Sequence, residues 1–256
     1  MISSEKRPVR GTCRSVLLLC VFLPRLAFAQ SPEEPSLLGA ALWSRPAYDG
    51  SASQVEQPVP IISYEGYPWF ARTLQGILEG GIRKQLAPKL NLGAQLAYES
   101  GRKTSESELL KSRNVLGIAP GASLGAHVEW SPSIGPVPLS FIARVRHTVA
   151  DDHGLQADLR LTVGVFEKSR LACAVYGQAT WADAKSVRTF YGAPGFDPAG
   201  GLLSGSFGVF ALYDLSRRWV VMGSVETHRL HGDAASSPLT EQRSNFYAFV
   251  GPAYKF

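Results

Sequence analysis

The stretch that decides the fold is Leu155–Val165, LQADLRLTVGV, in which apolar and polar residues alternate. Leucine, alanine or valine occupies every second position from Leu155, and Gln156, Asp158, Arg160 and Thr162 lie between them. Successive side chains of a β-strand point to opposite faces of the sheet. This period of two therefore predicts a strand with one apolar and one largely polar face.

The same alternation recurs along the chain, for example in Leu90–Glu99 and Leu139–Arg146. In a soluble sandwich the apolar face of each strand points into the core. In a membrane barrel the apolar face contacts lipid and the polar face lines the lumen. Alternation alone therefore leaves both architectures open.

Segment length and connection length favour the membrane barrel. The alternating segments run for roughly 9–14 residues, which suits tilted strands crossing a bilayer better than the ~5–6 residues usual in soluble sheets. Short turns alternate with long polar loops, as in bacterial barrels, where the short turns face the periplasm. The short turns are Ala87–Lys89, Glu167–Arg170 and Leu215–Arg218, and the long loops are Ser100–Leu116, Ala184–Gly201 and Gly232–Ser244.

The tryptophans and the longest apolar run agree with a barrel. The longest apolar run, Val16–Leu23, is shorter than the ~20 residues that a membrane helix needs, which excludes a polytopic helical protein. Indole rings favour the boundary between lipid and water, and the tryptophans fall near predicted strand ends. They are Trp43, Trp69, Trp130, Trp181 and Trp219.

We predict an all-β, transmembrane, antiparallel up-and-down barrel of about twelve strands. An even count brings both termini to the periplasmic side. Several breaks between Glu65 and Gly81 leave a count of ten open. The predicted strands are 37–46, 57–65, 68–76, 78–86, 89–99, 117–131, 138–149, 154–167, 170–182, 202–214, 218–230 and 245–256.

A secretory leader precedes the barrel. Basic residues, the apolar run Val16–Leu23 and the small-x-small sequence Ala27–Ala29 predict cleavage after Ala29. We expect a signal peptide over 1–29, a short periplasmic tail over 30–36 and a single barrel domain over 37–256. The location expected from this leader and the strands is the outer membrane of a Gram-negative bacterium.

Removal of the leader changes the charge and the cysteine count. The chain has 26 basic and 21 acidic residues, a net charge of +5. The leader holds five of the basic residues and one of the acids, which leaves 21 against 20, a net charge of +1. This balance gives no electrostatic case for nucleic-acid binding. Cys173 is then the remaining cysteine, so no internal disulfide is expected.

The last predicted strand ends in an aromatic pattern. Tyr254 and Phe256 share the apolar face, and Phe256 ends the sequence as given. A final aromatic residue with another two positions before it resembles the signal that the outer-membrane barrel assembly machinery reads. We therefore expect that machinery to be a partner.

The polar faces place charges in the predicted lumen. Opposite charges on adjacent strands can pair and fill a narrow interior, but a water-filled lumen would hold them equally well. A narrow channel for small polar solutes is therefore an alternative function. The lumenal charge candidates are Arg144, Arg146, Asp158, Arg160 and Glu226.

Catalytic and metal-binding constellations are not evident. His147, near Asp151 and Asp152, is in the outward frame, where some barrels hydrolyse lipids, but the sequence has no G-x-S-x-G elbow. His228 and His231 are three residues apart, which places them on opposite faces of a strand and unable to chelate one ion. We predict no enzymatic activity, metal or cofactor.

Three segments resemble the MipA/OmpV family of outer-membrane proteins. Gly39–Ser51 is similar to the family's opening strand and turn, and Pro58–Tyr64 with Phe70–Arg72 matches the next hairpin. The most specific match is the loop pattern L-x-G-D-A-A-x-S-P, which includes Gly232, Asp233, Ala234, Ala235, Ser237 and Pro238. At Asp151–Gly154 this chain lacks the longer glycine-rich loop that family members commonly have.

The resemblance implies a non-enzymatic barrel that acts as a scaffold for peptidoglycan synthesis. The founding member brings a lytic transglycosylase together with a bifunctional murein synthase, and other members are linked to adhesion or stress responses. The expected surroundings are outer-membrane lipid and lipopolysaccharide, whose phosphates the basic residues of Ser100–Leu116 would meet. The preferred interpretation of that loop is a solvated surface with balanced charge.

Overall fold

The computed structural model describes residues 35–149 and 153–256. The predicted signal peptide, most of the predicted tail, and Asp151 and Asp152 lie outside these residues. The long strands are β1 (Leu37–Pro46), β2 (Gln54–Tyr64), β3 (Trp69–Leu74), β4 (Ile77–Ala87), β5 (Leu90–Glu99), β6 (Gly121–Trp130), β8 (Val137–Thr148), β9 (Leu155–Lys168), β10 (Leu171–Ala182), β11 (Gly201–Asp214), β12 (Trp219–Leu230) and β13 (Ser244–Lys255), and β7 (Ser133–Ile134) has two residues.

The twelve long strands close into an antiparallel barrel. Neighbours in sequence pair along the sheet, β13 pairs with β1, and β6 pairs with β8, so that β7 is only a short addition beside β8. The prediction of a twelve-stranded up-and-down barrel is confirmed, and the alternative of ten strands is wrong. The sixth strand begins at Gly121 rather than at 117, because the backbone of Ile118 instead bridges to Arg102.

The barrel has an apolar outside and a polar inside, as the alternation predicted. Leu159 is 48% exposed, whereas its neighbour Asp158 is 3% exposed. This arrangement is inverted relative to a soluble protein and suits a surface in contact with lipid.

Four of the five tryptophans lie on the outer surface near strand ends. Trp69, Trp130 and Trp219 lie at the end with short turns, and Trp181 lies at the opposite end. The prediction is wrong for Trp43, which faces the lumen and stacks on Tyr247 with ring centroids 6.2 Å apart.

The wall is incomplete between β2 and β3. β2 pairs with β1 at ten positions, but with β3 only at Ser63–Arg72 and Tyr64–Ala71. Pro58 and Pro60 lie in the part of β2 that β3 leaves unpaired, which fits a residue that has no N–H to donate to a neighbouring strand. We call this unpaired boundary the β2–β3 seam.

Two short helices lie in the long loops: α1 (Glu108–Ser112) and α2 (Ala184–Tyr191). In the part of the chain that the structure describes, no helix has the length and apolar character needed to cross a membrane. α2 packs with the ends of β10, β11 and β12 in a small apolar cluster at the loop end of the barrel. This cluster includes Val187, Tyr191, Leu203 and Leu230.

Candidate functional site

A network of buried ion pairs lies along one side of the lumen. Its members come from the β2–β3 turn and from β3, β4, β6, β8 and β9, which all face this side of the interior. We call it the lumenal charge network, and it consists of Glu65, Arg72, Glu79, Arg83, Glu129, Arg144, Arg146 and Asp158.

The centre of the network is almost completely removed from solvent. Arg144 donates from Nε to Oδ1 of Asp158 at 2.9 Å and from Nη1 to Oε2 of Glu79 at 3.1 Å. Arg72 donates from Nε to Oε1 of Glu79 at 2.6 Å and also contacts Glu129. Each carboxylate thus faces at least one guanidinium group, which is what buried charges require to offset their lost hydration.

Strand register creates these pairs. Arg144 is directly opposite Asp158 in the β8–β9 ladder, and Arg72 is opposite Glu79 in the β3–β4 ladder. Of the predicted lumenal charges, Arg144, Arg146 and Asp158 are brought together here. Sequence reasoning missed Arg72, Glu79 and Glu129. Glu79 and Arg83 lie at alternate positions of β4 on its inward face, and this alternation is the sequence signal that could have identified Glu79 as a lumenal charge.

Glycine makes room for the polar side chains beside the network. The Nδ1 atom of His127 lies 2.7 Å from Oε1 of Gln95, and Nε2 of Gln95 donates to Oε2 of Glu79 at 2.9 Å. Gly93 is opposite His127 in the ladder, and a Cβ at Gly93 would lie 2.3 Å from Cε1 of His127. The imidazole ring therefore occupies the space that any larger residue at position 93 would need.

An open space of about 470 Å³ lies between the network and the loop end. The two other predicted lumenal charges, Arg160 and Glu226, line it together with Arg146. Arg160 stacks on Tyr176 with its guanidinium carbon 3.7 Å from the ring centroid, and the Tyr176 hydroxyl donates to Glu226 at 2.9 Å. We call this space the lumenal cavity.

The β3–β4 hairpin bends into the lumenal cavity. Its turn residues Gln75 and Gly76 have positive φ angles of 51° and 74°. The Gln75 side chain donates to both carboxylate oxygens of Glu226, at 2.9 and 3.1 Å. Gly76 lies against Trp43 so closely that a Cβ there would be 2.2 Å from the indole ring. The hairpin tip thus leaves the wall and helps to form the cavity.

The outer mouth is covered by loops that bond to one another. Ser237 donates from Oγ to the Tyr191 carbonyl at 2.6 Å, and Tyr48 donates to the Leu239 carbonyl at 2.7 Å. The segment Gly232–Leu239 thereby joins α2 to the β1–β2 connection. Burial raises the pKa of Tyr191 well above its ordinary value.

A second attachment ties the β5–β6 loop to β1. Arg45 of β1 contacts Glu106 with Nη2 and Oε2 3.0 Å apart. Partial burial acts to raise the pKa of Glu106, but the hydrogen bond from Lys103 and the charge of Arg45 outweigh it and lower the pKa. Glu106 is therefore held in its charged form below the pH at which an ordinary glutamate is protonated.

Comparison of the sequence with known protein families identifies the family. The sequence pattern of the family described as MltA-interacting protein MipA matches residues 38–256. The chain belongs to the MipA family. The match includes all strands of the barrel and leaves out only Leu37, the first residue of β1. It confirms the resemblance inferred from the motif segments. The protein is therefore an outer-membrane barrel of the MipA family.

Solved structures of other outer-membrane barrels resemble this MipA-family chain only distantly. The NanC porin is 9% identical, covers 86% of this chain and 100% of its own, and gives a TM-score of 0.49. An outer-membrane channel from Pseudomonas putida F1 is 12% identical, with coverages of 88% and 97% and a TM-score of 0.46. LpxR from Salmonella typhimurium is 12% identical, with coverages of 86% and 100% and a TM-score of 0.42. Comparison with the sequences of curated proteins gives no match.

The motif loop of the MipA-family chain holds the loops over the outer mouth together. Ala234 and Ser237 are buried, and Gly232 has a positive φ of 54° where the chain turns out of β12. Asp233 accepts a hydrogen bond from the backbone N–H of Ala199 at 2.8 Å, and Pro238 accepts one from Arg113 at 2.7 Å. These contacts give the motif a structural role at the outer mouth.

The aromatic residues predicted to be an assembly signal lie at the short-turn end. Phe256 is 67% exposed, and its N–H donates to the Ser36 carbonyl at 3.0 Å. Tyr254 packs edge-on against Trp219, with ring centroids 5.4 Å apart. The assembly role of the two aromatic residues stays a prediction.

The histidines are widely distributed. His147 lies on the outward face, and its cross-strand partners are Leu124 and Leu155, so no serine is directly opposite it. His228 faces the lumenal cavity, whereas His231 follows the end of β12. Among residues 35–149 and 153–256, no group of three histidine, cysteine or acidic side chains is arranged to hold a metal ion.

Proposed function

We propose that the protein is an outer-membrane scaffold that brings a lytic transglycosylase and a murein synthase together at the cell envelope. The observation that carries the proposal is the match of residues 38–256 to a family named for its interaction with MltA. A scaffold needs a rigid body and an exposed docking surface, and it needs no catalytic residues of its own.

The short-turn end offers a surface that fits this role. Short turns of bacterial barrels face the periplasm, where enzymes that act on murein work. Two adjacent turns carry exposed basic side chains, and the backbone bond from Asp214 N–H to the Arg170 carbonyl, 2.8 Å long, joins the turns. We call this surface the basic rim, and it consists of Lys168, Arg170, Arg217 and Arg218.

An acidic partner surface suits the basic rim. Rim charges accelerate association and select among partners more than they add affinity. Reversal of two of these charges is therefore expected to weaken capture of a partner without unfolding the barrel. Lipid headgroups of the inner leaflet and the barrel assembly machinery are further partners that we propose for the same end.

Co-purification from cross-linked cells tests the proposal. The tagged barrel is expected to enrich a transglycosylase and a murein synthase over an unrelated outer-membrane barrel, and Arg170→Glu/Arg217→Glu is expected to lower that enrichment. Lys111→Glu/Arg188→Glu, which reverses two exposed charges at the opposite end, is the matched control. Equal recovery with the unrelated barrel would rule out the scaffold.

A narrow channel for small polar solutes is the second candidate function. The lumenal cavity, with its volume of about 470 Å³, supports it. The lumenal charge network and the loops at the mouth lie on either side of this space. Planar-bilayer recordings of the folded protein test the channel, and an absence of conductance steps would exclude it.

A further inference from the structure

Two arginines that line the lumenal cavity have guanidinium groups that the protein engages only in part. Arg146 is 6% exposed, and its Nε and Nη1 atoms have no hydrogen-bond partner among the described residues. Its nearest carboxylate atoms are Oδ2 of Asp158 at 3.6 Å and Oε1 of Glu99 at 3.9 Å. Buried guanidinium N–H groups normally have acceptors, so these atoms are available to an anion in the cavity.

Arg160 is the second available cation. Besides stacking on Tyr176, Arg160 donates one long hydrogen bond, from Nη1 to Oε1 of Gln178 at 3.5 Å. Arg146 and Arg160 lie on the adjacent strands β8 and β9, and both line the cavity. Together they form a cationic wall.

Three acids of the described part of the chain face the same space, and all three have partners: Glu99 lies 3.9 Å from Nη1 of Arg146, and Glu226 and Asp49 accept hydrogen bonds. Glu226 accepts hydrogen bonds from Tyr176 and from Gln75. Asp49 accepts one from the Tyr247 hydroxyl and lies 3.6 Å from Nδ1 of His228. The cavity therefore has spare donors and few spare acceptors, which selects for an anion over a cation.

The opposite wall of the cavity is apolar and leads to the β2–β3 seam. Trp43, Ile61, Phe210, Met222 and Phe249 line it. The lining also includes Ile62 of β2 and Leu74, the last residue of β3, which lie on the two sides of the seam. Beyond Ser63–Arg72 the two strands are unpaired, so ladder hydrogen bonds do not close the wall beside this part of the cavity.

We propose that the lumenal cavity binds a single-chain amphiphile with an anionic head group. Arg146 and Arg160 hold the head group, and the hydrocarbon chain lies along the apolar wall toward the β2–β3 seam. The volume of about 470 Å³ falls within the ~300–1,000 Å³ usual for small-molecule sites. This site is separate from the basic rim, so it does not depend on the proposed scaffold function.

Calorimetric titration of the barrel in phosphatidylcholine nanodiscs tests the site. The probes are octanoate and octyl phosphate, with octanol and propionate as controls for the head group and the chain. Saturable binding of at least one of the two anionic amphiphiles is expected, and it should be stronger than for either control. Only the anionic amphiphiles have both an anionic head group for the two arginines and an eight-carbon chain for the apolar wall. Empty nanodiscs give the background from partitioning into lipid.

Arginine variants locate the binding. Arg146→Gln and Arg160→Gln are each expected to weaken binding by about tenfold, the loss that follows from removing a hydrogen bond to a charged group. Arg146→Lys and Arg160→Lys, which keep the charge, should retain more affinity. Arg188→Gln, at an exposed position of α2 that does not line the cavity, is the matched control and is expected to bind as the unchanged protein does.

Three results would overturn the proposal. They are no saturable binding of either anionic amphiphile, equal binding of octanol or propionate, and unchanged affinity in both glutamine variants. The gel mobility of unheated samples shows whether each variant has folded, and the lysine variants keep the test valid if a glutamine variant does not fold.

Discussion

Arg144 and Asp158 face each other across the β8–β9 ladder and form an ion pair of 2.9 Å inside the barrel. Their side chains are 1% and 0% exposed. A buried pair of this kind costs much hydration, and the attraction between the partners roughly offsets that cost. Loss of one partner should therefore be worse than replacement of both.

Asp158→Leu is expected to lower the free energy of unfolding by about 3–5 kcal/mol, because it leaves Arg144 and Arg146 short of a buried counter-charge. Arg144→Met/Asp158→Leu should be less destabilised than Asp158→Leu alone. Urea unfolding in lipid vesicles measures both. Asp197→Leu breaks the exposed pair with Arg188 and should cost no more than about 1 kcal/mol. Equal losses at the buried and exposed pairs would contradict the account.

The motif loop provides a second prediction. Ser237→Ala removes the bond to the Tyr191 carbonyl and leaves that buried group without its donor, at a cost of about 1–3 kcal/mol to the closed mouth. Cleavage of the outer loops by an added protease is expected to accelerate. Ser236 is exposed, and Ser236→Ala is the matched control. Identical cleavage rates in the two variants would show that the Ser237 bond does not hold the outer loops closed.

The attachment of Glu106 to Arg45 predicts a response to acid. The folded pKa of Glu106 is lowered, so the attachment stabilises the loop above the ordinary glutamate value of 4.5 and is lost as pH falls through the lowered pKa. A spin label at Ser112 should become more mobile over that range. Glu106→Gln should remove the transition, whereas Glu108→Gln, at a largely exposed side chain, should keep it.

Gly93 provides a packing test. Gly93→Ala places a Cβ 2.3 Å from the His127 ring and should destabilise the barrel by about 1–3 kcal/mol through overpacking. A Cβ at Gly177 meets only the Ser206 carbonyl oxygen at 3.7 Å, an ordinary contact, so Gly177→Ala should have little effect. Urea unfolding compares the two, and a similar tolerance at both positions would contradict the packing described.

Much of the fold was predictable because the barrel separates two environments at every strand. Asp158 and Leu159 are adjacent in sequence, and their side chains point to the lumen and to the apolar outer surface of the barrel respectively. Such alternation predicts the strand and its approximate bounds, and the lengths of the segments and connections predict that the apolar face points outward. The prediction for Trp43 is wrong because the side chain shares the inward frame of β1 with Arg45, and this frame, not the nearby strand end, decides where the ring lies.

The site was less predictable because its contacts depend on long-range geometry. Gln75 reaches Glu226 only because the β3–β4 hairpin leaves the wall, and no local pattern indicates that bend. The β2–β3 seam was not predicted either, and the signal that could have found it is the pair Pro58 and Pro60, which have no N–H to donate to a neighbouring strand. Side chains pair across the lumen because the sheet closes into a barrel. The alternation of the sequence does not give the distances between strands that face each other across the closed barrel.

Site-specific photo-cross-linking in living cells tests the proposed scaffold most directly. A photoreactive amino acid at Arg217, in the basic rim, is expected to cross-link to a lytic transglycosylase or a murein synthase, whereas the same group at Ser236, over the outer mouth, is not. Cross-links to neither enzyme from Arg217 and the other positions of the basic rim would contradict the account.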